Sequence, residues 1–587
     1  MKKGTDYAFL SNSRTALLEN DGNIIWFPCP RFDSKSIFSN ILDEEVGGYF
    51  SIRPEGKYST SVSYIGNSLV VRNAFSARTG TLEVTDFLAF GLPSVIRIFD
   101  SDVPFVARIK PAFDYGRVCP EVERMEDGIR FRNPESAESF DVVIKGNFRN
   151  CGDGVLKFNP GKGHMLTLYA KDFRYGLFSL NGYVYPDPEE ALRRTIRYWE
   201  TQINSAKKTR LFVDEYKRSL SVMLGLMYNS SGAIIAAATT SLPTIIGNRN
   251  NWDYKYVWIR DASYAAEAFA KAGLLYKSQR VLNFMISTID LSSKSFDHPL
   301  FEVDGTAPLA EDEAGWLSGH RGSKPVRIGN AAYTQVQMDT EGEFMDALYT
   351  YFMLSGDRGF IKENMWAIDA ILSWCKRSWT NKSISLWEER DEPQHFVHTK
   401  LMNWVALDRA SKLKLAMGNN EASIDLRKRS DEIKEDIMLN GFSERLNSFV
   451  KYYGSENVDA SLLLMPLYNF IEVKDRMFAG TLERILERLS LPSGLMQRTE
   501  NDYESDSSHP FTLINAWLAR VYIRMGRKAK AVEAMKNMIS YSTRLRLFGE
   551  RVNPKTHETL GNFPQLFPHA GLVAAISEYN DIKLTRL

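Results

Sequence analysis

A change in the spacing of apolar residues near residue 200 constrains the fold of this 587-residue chain more than any other feature. Up to about residue 185, short apolar or alternating runs follow one another, and turn signals such as Pro54-Glu55-Gly56 separate them. This pattern is typical of a sandwich of antiparallel sheets. From about residue 211 the apolar period is close to 3.6, which predicts a long series of helices.

The helical part is predicted to contain about twelve helices with a mean repeat of about 31 residues, which suits an array of helical hairpins. Several predicted helices end at a glycine, as at Gly273 and Gly418. We expect a barrel of six hairpins, and a solenoid is the alternative. Prolines and acids at 186–190 predict the first turn of a linking helix. The expected segments are a β domain at 1–185, a helical linker at 186–210 and a helical barrel at 211–587.

Composition excludes several classes of function. The chain has 73 basic and 72 acidic residues, so nothing favours nucleic acid as a partner. No signal sequence or membrane-spanning stretch is recognisable, which predicts a cytoplasmic protein without membrane contact. Four scattered cysteines and eight scattered histidines show no metal spacing, so we expect neither a metal nor a cofactor. A homo-oligomer is possible.

The sequence places an aromatic residue beside two carboxylates at Trp387-Glu388-Glu389, and a further carboxylate at Glu550. Glycoside hydrolysis commonly uses two carboxyl groups on either side of a sugar, one as an acid and the other as a base or nucleophile. Our hypothesis is that Glu388 and Glu550 form this pair. Trp387 would supply an apolar wall, and Glu389 would orient a neighbour or accept from a sugar hydroxyl. The alternative is that the glutamates are ordinary surface charges.

A second stretch, residues 251–261, combines four aromatic residues with Arg260-Asp261 just before a predicted helix. Arg donates to hydroxyl groups and Asp accepts from them, so this stretch is typical of a sugar pocket. The alternative is a structural ion pair in which Asp261 caps the helix. Weaker candidates are Arg498 in an acidic loop, His509 as a pocket wall, and Gln335 with Asp339 on one helix face.

Several motifs together resemble glycoside hydrolase family 15, the family of glucoamylases and trehalases. In the β domain these are Asp21-Gly22-Asn23-Ile24-Ile25-Trp26 and Pro30-Arg31-Phe32-Asp33-Ser34; in the helical part they are Tyr256-Val257-Trp258-Ile259-Arg260-Asp261, Leu386-Trp387-Glu388-Glu389-Arg390, Asp459-Ala460-Ser461-Leu462 and Leu560-Gly561-Asn562-Phe563-Pro564-Gln565. The resemblance covers nearly the whole chain. It implies an N-terminal antiparallel β-supersandwich, a C-terminal (α/α)6 barrel and inversion at the anomeric carbon.

The resemblance also implies roles for individual residues. Glu388 would be the general acid and Glu550 the general base, and Arg551 stands where the family usually has Gln. The remaining positions would contact the terminal sugar: Arg260 and Asp261 through its hydroxyls, Tyr254 and Trp258 as aromatic walls, and Glu389 and Arg498 as further contacts.

The stretch His509-Pro510-Phe511 resembles the corresponding wall of glucoamylases. We therefore expect an exo-acting glucoamylase that releases β-glucose from the non-reducing ends of maltooligosaccharides or starch- and glycogen-type glucans. The main alternative is an α,α-trehalase with the same two carboxylates. A glycoside phosphorylase and a carbohydrate-binding relic are further alternatives. The retention of Glu550 disfavours the phosphorylase, and the presence of both carboxylates disfavours the relic.

Overall fold

The computed structural model describes residues 7–91, 94–171, 187–290, 295–296, 298–389, 392–500 and 509–586. The predicted domain end at residue 185 and Arg390 of the carboxylate motif lie outside the described residues. The predicted limits of the three segments stay predictions.

The N-terminal part consists of two antiparallel sheets of eight strands each, which confirms the predicted β-sandwich. Burial alternates along strands such as Val71–Ala77, as expected for strands with one face on the core. The first sheet runs in the order Ala8–Ser11, Ala16–Asn20, Asn23–Pro28, Tyr49–Pro54, Phe105–Lys110, Val155–Phe158 and Phe148–Asn150, and Ser36–Phe38 pairs with its third strand. The second sheet runs in the order Glu121–Arg124, Gly128–Arg132, Ser139–Lys145, Gly161–Lys171, Ser94–Ser101, Gly80–Leu88, Val71–Ala77 and Tyr58–Tyr64.

The helix Pro188–Asn204 follows the β-sandwich and begins as its sequence predicts. Asp187 caps the helix by accepting from the backbone N–H of Glu190 at 2.8 Å. Pro188 occupies the first turn, where a missing N–H removes no helical hydrogen bond. Trp199 is fully buried in the main core, so this helix joins the two parts of the molecule.

The C-terminal part is helical. The longer helices are Val213–Gly225, Ile259–Lys271, Leu275–Ser287, Thr340–Ser355, Met365–Ser378, Val397–Ala416, Asn420–Asn440, Arg476–Leu489, Leu513–Arg524, Lys528–Ile539 and Leu566–Asn580. Shorter helical segments are Arg358–Glu363, Ala460–Leu463 and Leu464–Leu467, and short strand pairs lie in the loops.

Six inner elements close into a ring, which confirms the predicted (α/α)6 barrel. Each element in the following order packs on the next, and the last packs on the first: Ile259–Lys271, Thr340–Ser355, Val397–Ala416, Ala460–Leu463, Leu513–Arg524 and Leu566–Asn580. All residues of Ile259–Lys271 are buried, as expected for a helix with neighbours on all sides. The barrel is therefore closed, and the solenoid alternative is wrong.

The β-sandwich packs against loops that carry site residues. The indole N–H of Trp26 donates to the carbonyl of Ala238 at 2.7 Å, and Lys255 donates to the hydroxyl of Tyr115 at 2.9 Å. Lys255 lies next to Tyr254, so the sandwich helps to fix the aromatic loop that precedes the first inner helix.

One helix begins later than its apolar pattern predicts. A helix from Gln335 would place Gln335 and Asp339 on one face, but the observed helix begins at Thr340 with Asp339 as its first flanking residue. Both side chains instead come from the loop that enters the barrel. Among the described residues, none of the helices combines the length and the apolar character that a bilayer crossing needs.

Candidate active site

Two adjoining cavities at one end of the barrel bring most of the predicted site residues together. The first, which we call the Asp261 cavity, encloses about 460 Å³, and its lining includes Trp258, Arg260, Asp261, Phe511 and Gln565. The second, the Asn330 cavity, encloses about 530 Å³, and its lining includes Asn250, Trp252, Asn330, Gln335 and Arg551. The residues that line both are Tyr254, Trp387, Glu388, Arg498 and Glu550. The two predicted carboxylates thus lie where the cavities meet.

Three N–H donors converge on one oxygen of Glu388. The indole of Trp258 donates to Oε1 at 2.7 Å, the guanidinium of Arg260 at 2.8 Å and the amide of Gln337 at 3.1 Å. The carboxylate is therefore fixed through Oε1. A proton carried by this group belongs on Oε2, because Oε1 already accepts from three donors.

The backbone around Glu388 turns sharply. Glu388 has a φ of 59°, a left-handed conformation that residues with a side chain rarely adopt and that is often found at functional sites. Ser385 closes the turn, since its carbonyl accepts from the N–H of Glu388 at 3.0 Å and its hydroxyl accepts from the N–H of Trp387 at 3.1 Å. Trp387 is held by a 2.8 Å hydrogen bond from its indole to Asp459.

Glu550 is buried, and Tyr254 donates to its Oε1 at 3.2 Å. Burial raises the pKa of Glu550, while the positive charges of Arg551 and Arg498 and the Tyr254 hydrogen bond oppose that rise. The ring centroids of Tyr254 and Trp258 lie 5.5 Å apart in an edge-to-face arrangement. The hydrogen-bond donor of Glu550 therefore packs against a donor of Glu388.

Arg260 and Asp261 have different surroundings, although they are adjacent. Arg260 is buried and donates to Asp339 at 3.0 Å and to Gln337 at 2.9 Å, in addition to Glu388. Asp261 faces the cavity that bears its name, and burial raises the pKa of its carboxyl to about 8. Arg260 therefore holds Glu388 in place. Arg260 and Asp261 both line the Asp261 cavity, and their predicted sugar contacts stay predictions.

Of the other three residues that were predicted to contact the sugar, one lines the cavities and two do not. Arg498 lines both cavities, and its guanidinium lies over the Trp387 ring at 5.4 Å. Glu389 does not line either cavity, and it forms a 2.5 Å ion pair with Lys451. His509 does not line either cavity, and its carbonyl accepts from Arg551 at 2.9 Å.

Several residues of the site escaped the sequence analysis. Gln337 and Gln565 carry amide groups next to the predicted pair, and Asn250 and Asn330 line the second cavity. A lone Asn or Gln in a loop gives no signal of its own, because most such side chains are solvated. Gln565 belongs to the motif that begins at Leu560, so its motif was recognised without its role.

Gly561 leaves space for the side chain of Glu550. A Cβ at Gly561 would lie 2.7 Å from Cβ and 2.8 Å from Oε2 of Glu550, and the φ of +76° also favours glycine. We expect Gly561→Ala to displace the carboxylate and lower kcat by about 100-fold, because a misplacement of about 1 Å has that effect on catalysis. Initial rates with the purified variant test this.

A matched control separates the collision from backbone strain. Gly526 has a φ of +72°, and no atom lies within 4 Å of the position that a Cβ would take there, so Gly526→Ala introduces the same strain without the contact. We expect Gly526→Ala to keep its kcat. Equal losses in both variants would contradict the assignment of Gly561.

Two glutamates at the junction of two cavities supply the pair of carboxyl groups that glycoside hydrolysis commonly uses. Residues 212–577 match the family model "Glycosyl hydrolases family 15", and residues 6–139 match "Trehalase-like, N-terminal". The chain belongs to glycosyl hydrolases family 15, which confirms the family resemblance.

Several relatives that match this chain over most of their length are named trehalases. "Trehalase 2" of Sulfolobus acidocaldarius is 46% identical over 578 residues, covering 98% of this chain and 100% of that protein. "Trehalase 1" of the same organism is 39% identical, covering 97% and 98%. "Trehalase" of Mycobacterium tuberculosis is 30% identical, covering 97% and 88%.

A solved bacterial glucoamylase in complex with acarbose has a TM-score of 0.74, with 99% of this chain and 95% of that chain covered. Its sequence identity is 12%, so this likeness shows the fold alone. The prediction of a glucoamylase is therefore wrong, since the full-length relatives are named trehalases. The prediction rested on His509-Pro510-Phe511, of which Phe511 lines the Asp261 cavity and His509 lines neither of the two cavities.

Proposed function

We propose that this protein is an inverting α,α-trehalase, which hydrolyses trehalose to two glucose molecules. The observation that carries the proposal is the full-length similarity to proteins named trehalase, 46% for the first of them. The match of residues 6–139 to a trehalase-like N-terminal domain agrees with it.

The paired cavities suit a disaccharide. One glucose unit would occupy the Asp261 cavity and the other the Asn330 cavity, so the glycosidic bond would lie at their junction beside Glu388 and Glu550. The Asn330 cavity carries amide and guanidinium groups from Asn250, Gln335 and Arg551, which suit the hydroxyls of a second sugar.

In the proposed reaction Glu388 protonates the glycosidic oxygen from Oε2, while Trp258, Arg260 and Gln337 hold Oε1. Glu550 removes a proton from a water molecule, which attacks the anomeric carbon from the opposite face. Space for this water requires carboxyl groups about 6.5–9.5 Å apart, whereas a retaining enzyme needs about 5–5.5 Å.

The charge on Arg551 sets part of the pH dependence. Glu550 acts as a base only when it is ionised, so kcat/KM falls as the pH drops through its pKa. Arg551 lowers that pKa, and Arg551→Gln removes the opposing charge. We expect the acidic limb of the pH profile to move to higher pH in Arg551→Gln and to stay close to its original position in Arg551→Lys. A shift to lower pH in Arg551→Gln would contradict the role of Glu550 as the base.

A substrate panel tests the proposed specificity. We expect kcat/KM for trehalose to exceed that for maltose and maltoheptaose by about 100-fold or more, because a polar pocket built for given hydroxyls rejects substrates that leave its groups unpaired. Glucose release that is fastest from maltoheptaose would contradict the proposal. Release that requires inorganic phosphate would identify a phosphorylase instead.

A further inference from the structure

A buried cluster of three metal-ligand side chains lies directly behind Arg260. Asp339, Glu343 and His398 each offer one ligand atom, and these atoms all lie within 4.8 Å of one another. The exposed fractions of the three residues are 0%, 2% and 3%, respectively. This is a group of side chains inside the barrel wall, separate from the lining of the two cavities.

The polar atoms of the cluster face one another without hydrogen bonds. Oδ1 of Asp339, both carboxylate oxygens of Glu343 and both ring nitrogens of His398 are buried and make no hydrogen bond within the described chain. Leaving so many buried polar atoms unsatisfied is strongly unfavourable, so a further species must satisfy them. We propose that Asp339, Glu343 and His398 bind a divalent transition-metal cation, such as Zn²⁺ or Mn²⁺.

The local charge favours a cation. Asp339 and Glu343 place two carboxylates around one guanidinium, that of Arg260, while Glu388 carries a proton in the proposed reaction. The remaining excess of one negative charge favours a cation at the cluster. One imidazole nitrogen with carboxylate oxygens is a donor set that Zn²⁺ accepts, and carboxylates also suit Mn²⁺.

A proton on Glu343 is the competing way to remove charge, and burial does raise the pKa of this carboxyl. A proton shared between an imidazole nitrogen and a carboxylate oxygen holds these two atoms about 2.7–3.2 Å apart. Nε2 of His398 lies 3.9 Å from the nearest Glu343 oxygen, which is too long for that bond. Two ligand atoms that each lie about 2.0–2.2 Å from one metal ion can be at most about 4.4 Å apart, so a separation of 3.9 Å leaves room for an ion between them.

The two helices that carry the ligands are held in place. Glu343 lies in the first turn of Thr340–Ser355 and His398 in the first turn of Val397–Ala416. A Cβ at Gly342 would lie 2.1 Å from the carbonyl oxygen of Met402, so glycine permits the close approach of these helices. The ligands are therefore positioned before an ion arrives.

The ion would act on Glu388 through two positioning residues. Asp339 would bind the metal through Oδ1 while its Oδ2 accepts from Arg260, and Arg260 donates to Glu388. Metal loss would loosen Arg260, and we expect a lower kcat with little change in KM, together with a lower Tm.

Metal analysis of the full-length protein tests the proposal. The chain is dialysed against a chelator and then titrated with Zn²⁺ and, separately, Mn²⁺, with calorimetry and Tm as readouts. We expect the wild type to take up about one ion of at least one of these metals per chain with a rise in Tm, and Glu343→Gln and His398→Gln each to bind that ion at least about 100-fold more weakly.

Glu341→Gln is the matched control, since Glu341 is a buried carboxyl in the same helical turn whose oxygens accept from Ser295 and Thr340. It should bind the metal as the wild type does. No uptake of either metal by the wild type, with an unchanged Tm, would overturn the proposal in favour of bound water or a proton. Equal uptake by wild type, Glu343→Gln and His398→Gln would also overturn it. Circular dichroism shows which variants fold.

Discussion

Glu388→Gln lowers kcat on trehalose by about 10²–10⁴-fold, the contribution typical of a general acid. The change is nearly isosteric, and the amide oxygen of the new side chain can still accept from Trp258, Arg260 and Gln337. Only the transferable proton is lost, so the fold and the Tm should stay close to those of the wild type.

The leaving group provides the control for Glu388. Fluoride departs without protonation, so α-glucosyl fluoride needs the base but not the acid. We expect Glu388→Gln to retain most of its turnover of α-glucosyl fluoride. A variant that loses both substrates equally would show that Glu388 has another role, and near-normal turnover of trehalose would exclude it as the acid.

Glu550→Gln lowers kcat by about 10²–10⁴-fold on both trehalose and α-glucosyl fluoride, because each reaction needs an activated water. The comparison of the two substrates therefore separates the base from the acid. Near-normal turnover of either substrate by Glu550→Gln would contradict the assignment.

Tyr254→Phe supplies a graded comparison for Glu550, because it removes a single hydrogen bond at 3.2 Å and leaves the carboxylate in place. A hydrogen bond to an ionised carboxylate contributes about 1.5–3 kcal/mol, which corresponds to a loss of about 10- to 150-fold. The order wild type, Tyr254→Phe, Glu550→Gln is expected for kcat.

Much of the fold follows from local patterns. The switch from alternating to helical spacing predicted the sandwich and the barrel, and Arg476–Leu489 begins and ends where its apolar period predicts. The helix at Thr340 was predicted five residues too early, because the loop before it continues the apolar period and is held by tertiary contacts of Gln337 and Asp339.

The candidate site was only partly predictable. Glu388 and Glu550 stand in recognisable motifs, and the structure places them at one junction. The partners of Glu388 come from two separate segments around Trp258 and Gln337, and sequence spacing carries no information about such contacts. The functional role of a carboxyl depends on its neighbours, so only the family resemblance separated Glu388 from Glu389. The ion pair of Glu389 with Lys451 became visible in the structure.

The space beside Glu550 depends on a glycine that is not its neighbour in the sequence. Gly549 directly precedes Glu550, but its φ lies outside the left-handed region, and a Cβ there would lie 2.4 Å from the side chain of Thr559. Gly561, eleven positions after Glu550, has the positive φ and contacts the carboxylate. The hairpin Arg551–Asn553 with Glu558–Leu560 brings Gly561 back to Glu550.

The most direct test of an inverting trehalase is the anomeric form of the first glucose released from trehalose, followed by proton NMR before mutarotation. Inversion at one anomeric carbon gives β-glucose from the attacked unit, while the departing unit keeps its α configuration. We therefore predict α- and β-glucose in equal amounts at the earliest times. Release of α-glucose alone would show retention and contradict a base role for Glu550, and the absence of any glucose would contradict the proposed substrate.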